Sequence, residues 1–212
     1  MSRNAVIAAC RAFVAGLAVV AIVVQLVSLA GKGTLNPVNY FSYFTIDSNL
    51  IAAGVLLVSA TRPGASTFGL DMVRGAAVVY MSITGIVFTL LLSNTDVDTA
   101  IRWVNTVVHE FMPLAMLADW LITPPALRLT LRQGMLWLSF PLVWIVYTII
   151  RGAIVNQYPY PFLDPANGGY ASVAVYCVAI LVAMLVVSAL VAALANAAGG
   201  RRRGETSEAT VS

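Results

Sequence analysis

Residues 170–194 read YASVAVYCVAILVAMLVVSALVAAL, a stretch of 25 positions without one charged side chain. At about 1.5 Å of rise per residue, a helix of this length exceeds the ~30 Å hydrocarbon core of a bilayer. The run has no polar stripe that water could solvate, so it is not the surface helix of a soluble domain. Five further apolar runs follow the same pattern: about Ala12 to Ala30, Ser42 to Ala60, Gly75 to Leu92, Trp103 to Ile122 and Met135 to Ile150. Open strands would leave backbone groups unpaired in lipid, which leaves helices as the reading. The expected fold is therefore all-α, a polytopic membrane protein with six transmembrane helices.

Pro-, Gly- and Asn-rich breaks separate the runs, at 31–37, 62–64, 94–98, 123–125 and 158–169. Composition agrees, with 60% hydrophobic and 10% charged residues and a mean hydropathy of +0.88. A soluble domain carries about 25% charged residues. One six-helix domain over residues 1–200 uses nearly the whole chain, followed by a polar segment, 201–212, expected to be a disordered cytoplasmic tail. The first run is longer than the core of a signal peptide and is expected to be retained. Cys10 and Cys177 fall in apolar runs at different depths, which predicts free core thiols rather than a disulfide.

The net charge of +3 does not mark a nucleic-acid partner, because the basic residues are scattered beside apolar runs. Their distribution instead sets orientation. With the N-terminus inside, Arg3, Arg11, Arg62, Arg74, Arg128, Arg132 and Arg201–Arg203 make nine cytoplasmic cations, against Lys32, Arg102 and Arg151 outside. Both termini are thus expected to be cytoplasmic, in a multi-pass protein of the plasma membrane whose immediate partners are lipids.

Polar residues inside a span are costly and are candidate sites by default. Converted to depth, they gather in the outer third of the membrane. Thr45, Ser48 and Asn49 share one face of the second run at i, i+3 and i+4. Asn105 and His109 share a face of the fourth run, and Tyr147 and Arg151 a face of the fifth. Three polar faces at one depth suggest one pocket. A threonine hydroxyl is inert unless a base takes its proton, and the single histidine, His109, titrates in the range such a base needs. No second histidine or thiolate stands near His109 at ligand spacing, so neither a metal nor a cofactor is expected. Asp47 reads equally as a structural bridge to Arg102 or Arg151 and as a catalytic group, and Asp119 is expected to anchor at the inner surface or pair with Arg128. The inner half otherwise reads as nearly dry. The aromatic loop Tyr158–Asp164 reads as an interfacial anchor or as a lid over the pocket.

Three short pieces resemble the androgen-induced-protein family of six-helix membrane threonine hydrolases. They are Tyr43-Phe44-Thr45-Ile46-Asp47, the Asn105-x-x-x-His109 motif followed by Pro113, and Tyr160-Pro161-Phe162-Leu163-Asp164. The arginine-rich tail and the Asp119-Trp120 pair look more like a bacterial branch. The proline follows the histidine by four residues, where the animal members are expected to have five. The resemblance implies that Thr45 is the nucleophile and His109 its partner. It also implies a substrate among fatty acid esters of hydroxy fatty acids or similar lipid esters. Asn49, Asn105, Tyr147 and Arg151 are then the candidate binding and orienting groups. Two other readings compete: a lipid- or small-molecule-binding membrane protein without chemistry, and a small transporter built on Asp47, His109 and Glu110.

Overall fold

The structure is a computed structural model describing residues 2–93, 101–125 and 128–211, with side chains up to Ala197. All regular elements among these residues are helical. Helix α1 (Arg3–Gly31) is followed by the short α2 (Pro37–Tyr40), α3 (Phe44–Thr61) and α4 (Phe68–Val87), which a π-helical turn extends over Phe88–Leu92. Next come α5 (Arg102–Thr106), a π-helical turn (Val107–Phe111) and α6 (Met112–Ile122), joined end to end. Helix α7 (Leu131–Met135) leads through one 3-10 turn into α8 (Ser139–Val155), and α9 runs from Gly169 to Val211.

Local chemistry explains the ends. Ser2, Asn36 and Thr67 each accept a hydrogen bond from a first-turn amide, and Thr130 forms a reciprocal capping box with Gln133. Helix α8 stops where Asn156 enters the left-handed region at φ 54°, a conformation that asparagine tolerates.

Five helical stretches are long and apolar enough to cross a membrane: Arg3–Gly31, Phe44–Thr61, Phe68–Leu92, Leu131–Val155 and Gly169–Ala197. The chain is a multi-pass membrane protein. The remaining expected run is helical from Arg102 to Ile122, but Asn105, His109, Glu110 and Asp119 set it apart from those five. Packing is that of a bundle in lipid. Ala15, Ala18 and Ala21 of α1 and Ala52 and Ala53 of α3 are essentially fully buried, so small side chains let these two helices close up. On the flanks, Ile154, Leu90 and Val143 are 77%, 74% and 70% exposed. Large apolar residues that point outward in this way face hydrocarbon.

Two expectations are corrected. The end of the bundle where the N-terminus lies is not dry. Arg11 and Arg74, read as loop cations, are only 5% and 4% exposed. Both grip Asp119, Arg11 at 2.6 Å and Arg74 at 2.8 Å, and both donate to the Thr123 hydroxyl. Arg74 also reaches the fully buried Asp71 at 3.4 Å and lies over the Trp120 ring, while Arg11 donates to the Ser59 carbonyl. Asp119 thus pairs with two arginines from other helices and not with Arg128. This ion cluster pins α1, α3, α4 and α6 together. Second, Cys10 faces outward and is not a core thiol, although both cysteines are free. The backbone of α9 continues as helix to Val211. Ser212 and the side chains of 198–212 lie outside the described residues.

Candidate active site

Thr45 occupies the first turn of α3, at the far end of the bundle from the ion cluster. It is 6% exposed, and its Oγ1 lies 3.2 Å from His109 Nε2. The contact joins α3 to the π-helical turn between α5 and α6. Asn49, fully buried one turn below Thr45, secures that junction. Its amide donates to the Thr45 carbonyl at 2.8 Å and to the Val108 carbonyl at 3.1 Å. Asn105 contributes through its backbone, because its carbonyl lies 3.2 Å from His109 Nδ1. A carbonyl only accepts, so Nδ1 carries the imidazole proton and Nε2 presents its lone pair to Thr45. The imidazole lies against Phe88, with ring centroids 4.3 Å apart and planes 18° from parallel.

The π-helical turn is what aims the histidine. Pro113 has no N–H to give to the His109 carbonyl four residues back, so a regular α-helical ladder fails there. The chain widens instead, and the Met112 amide reaches back five residues to the Val107 carbonyl. Such π-bulges recur at functional sites. Gly85 lets α4 approach this turn, since a Cβ there would stand 3.2 Å from Pro113 and 3.4 Å from the His109 carbonyl oxygen.

The other expected site residues separate. Tyr147 is 44% exposed and its hydroxyl meets Ser42, 3.2 Å away, at the rim rather than at Thr45. Arg151 donates to Asn39, which in turn donates to Gln157. Tyr147 and Arg151 therefore hold the α2 turn against α8. Among the described residues no ion pair includes Asp47, so neither Arg102 nor Arg151 bridges to it, and Glu110 is exposed.

Sequence reasoning missed the place of Tyr160. The loop after α8 folds inward, burying Tyr160 and Leu163 to 8% and 1% exposure. The Tyr160 hydroxyl lies 3.2 Å from both the amide nitrogen and Oγ1 of Thr45. The proline-flanked aromatic run is the available signal, as an anchor, a lid or a motif of the resemblance, but none of these places its hydroxyl on Thr45. Beneath the loop, Thr45 and Tyr160 head a largely apolar cavity of about 210 Å³, which Thr84 also lines, walled by α3, α4, α8 and α9. Its lining includes Ile83, Trp144, Phe162, Leu181 and Met184. Leu142 of α8 and Val178 of α9 also line it while 47% and 60% exposed, so the cavity opens on the flank of the bundle between these helices.

The site has what acyl transfer needs at minimum: a hydroxyl, a base in the accepting tautomer and an apolar chamber beside them. Comparison of the chain with protein-family models, with curated proteins and with solved structures finds no match.

Proposed function

We propose that the chain is a membrane-embedded hydrolase of lipid esters. In this reading it crosses the plasma membrane six times, the Arg102–Ile122 stretch being the fourth span, with both termini cytoplasmic and the Thr45 site near the outer leaflet. The observation that carries the proposal is the 3.2 Å contact between Thr45 Oγ1 and a His109 Nε2 left bare by its tautomer. The flank-opening apolar cavity supports a substrate with a long acyl chain that enters from lipid. The resemblance of the three motifs to membrane threonine hydrolases supports a carboxylic ester as the reacting group.

The chemistry follows from the contacts. Thr45 Oγ1 attacks the ester carbonyl carbon while its proton passes to His109 Nε2. Collapse of the tetrahedral adduct breaks the bond to the alcohol oxygen, which takes the proton from the imidazolium. Water then repeats the sequence on the acyl-threonine, releasing the fatty acid and restoring the hydroxyl. The polar groups at the opposite end are engaged with one another in the ion cluster, which disfavours a carrier that needs free polar groups along its path.

The test is hydrolysis of long-chain esters by purified protein in lipid nanodiscs. Thr45→Val keeps the shape and removes the hydroxyl, so turnover falls to background. His109→Ala and the double variant fall to the same floor, because a nucleophile and its base act as a unit. Thr45→Ser retains part of the activity. Wild-type turnover in Thr45→Val would refute the hydrolase and leave the cavity as a lipid-binding site.

A further inference from the structure

We infer that Tyr160 is a positioning residue that directs the Thr45 hydroxyl proton onto His109. The inference deepens the hydrolase reading and rests on it. It begins with which partner donates at each contact. A backbone amide only donates, so at 3.2 Å from the Thr45 nitrogen the Tyr160 oxygen accepts. That amide is one of the first-turn donors of α3 that no helical carbonyl satisfies, and the Tyr43 side chain does not cap it. Tyr160 therefore caps α3 from across the bundle.

Burial pushes the Tyr160 phenol up to about 12, so it keeps its proton throughout the physiological range. With the amide occupying a lone pair, the phenolic O–H points to its other partner, Thr45 Oγ1, 3.2 Å away. Thr45 Oγ1 then accepts on that side and turns its own hydrogen to the remaining neighbour, His109 Nε2. The imidazole proton is already committed to the Asn105 carbonyl. Every hydrogen in the chain from the Thr45 amide to Asn105 has one direction, and Tyr160 sets it. As Oγ1 loses its proton in the reaction, the phenol's hydrogen bond becomes charge-assisted and roughly doubles in strength.

The ring is held independently of its hydroxyl. Phe162 stacks on it with centroids 5.3 Å apart and planes 3° from parallel, and Tyr43 meets it edge-on at 5.6 Å. Tyr160→Phe therefore keeps the packing and removes one oxygen.

His109 is the only histidine, so ¹⁵N-histidine labelling of the full chain in nanodiscs gives one imidazole to follow. The Nε2 resonance reports whether that nitrogen accepts a hydrogen bond, and Thr45→Val defines the position without one. In Tyr160→Phe the resonance moves at least half-way from the wild-type position to that of Thr45→Val. The rate of covalent labelling by a fluorophosphonate falls about tenfold, the worth of one neutral hydrogen bond. A Tyr160→Phe resonance at the wild-type position, or one that Thr45→Val also leaves unmoved, overturns the inference at any labelling rate. Fluorophosphonate labelling that is equal in wild type and Thr45→Ala defeats the hydrolase reading instead, and the resonance still decides the role of Tyr160.

Discussion

Replacing Asp119 by alanine removes the one carboxylate that both Arg11 and Arg74 hold. In the native cluster two arginines face two aspartates, Asp71 and Asp119, and the buried charge is balanced. After the substitution one positive charge is in excess among side chains no more than 6% exposed. Removing one partner of a buried pair costs about 3–5 kcal/mol. The loss is unequal between the arginines. Arg74 keeps Asp71, the Thr123 carbonyl and the Trp120 face, whereas Arg11 keeps only a carbonyl and a hydroxyl. Arg11 lies within three turns of its helix end and can extend toward the headgroups, which places the cost at the lower limit, about 3 kcal/mol. Asp119→Asn retains an acceptor without the charge and costs about half as much. Arg11→Met added to Asp119→Ala removes the stranded cation, so the double variant is more stable than the sum of the single losses by about 2 kcal/mol. Reversible unfolding in bicelles titrated with SDS measures these differences. A loss below about 1 kcal/mol in Asp119→Ala, or strict additivity with Arg11→Met, would refute the argument that the cluster fastens the bundle.

Two further outcomes are expected. Leu181→Trp fills part of the cavity and leaves Thr45 and His109 unsubstituted, so KM for long-chain esters rises several-fold while kcat on acetyl esters is unchanged. An equal loss on both substrates would mean that the cavity does not receive the acyl chain. In a background lacking Cys10 and Cys177, single cysteines at Lys32 and Ala166 react with an impermeant thiol reagent in intact cells, and one at Ala65 does not. Labelling at Ala65 alone would invert the proposed orientation.

The apolar runs were legible because each is long and nearly free of charge, and a helix needs no partner to satisfy its own backbone in lipid. Depth was legible too, since residue count converts to height, and it set Thr45 beside His109. Azimuth was not. Tyr147 and Arg151 share the height of Thr45 yet turn toward α2, and Arg11 and Arg74 look like flanking topogenic cations until α6 is seen to bring Asp119 between them. The π-helical turn left a faint trace in Pro113, four residues after His109, which states that a helical bond is missing but not how the chain absorbs the loss. Tyr160 was hidden for a further reason: a loop has no period from which to read the side it presents.

The cavity mouth between Leu142 and Val178 lies on the flank, where the bundle meets hydrocarbon and not water. A molecule that enters there is supplied by lateral diffusion in two dimensions, so its effective concentration is a mole fraction of the surrounding lipid. Detergent added at constant substrate would then slow turnover by surface dilution, with every contact in the site unchanged. An apparent KM in micelles would describe the mixture as much as the protein.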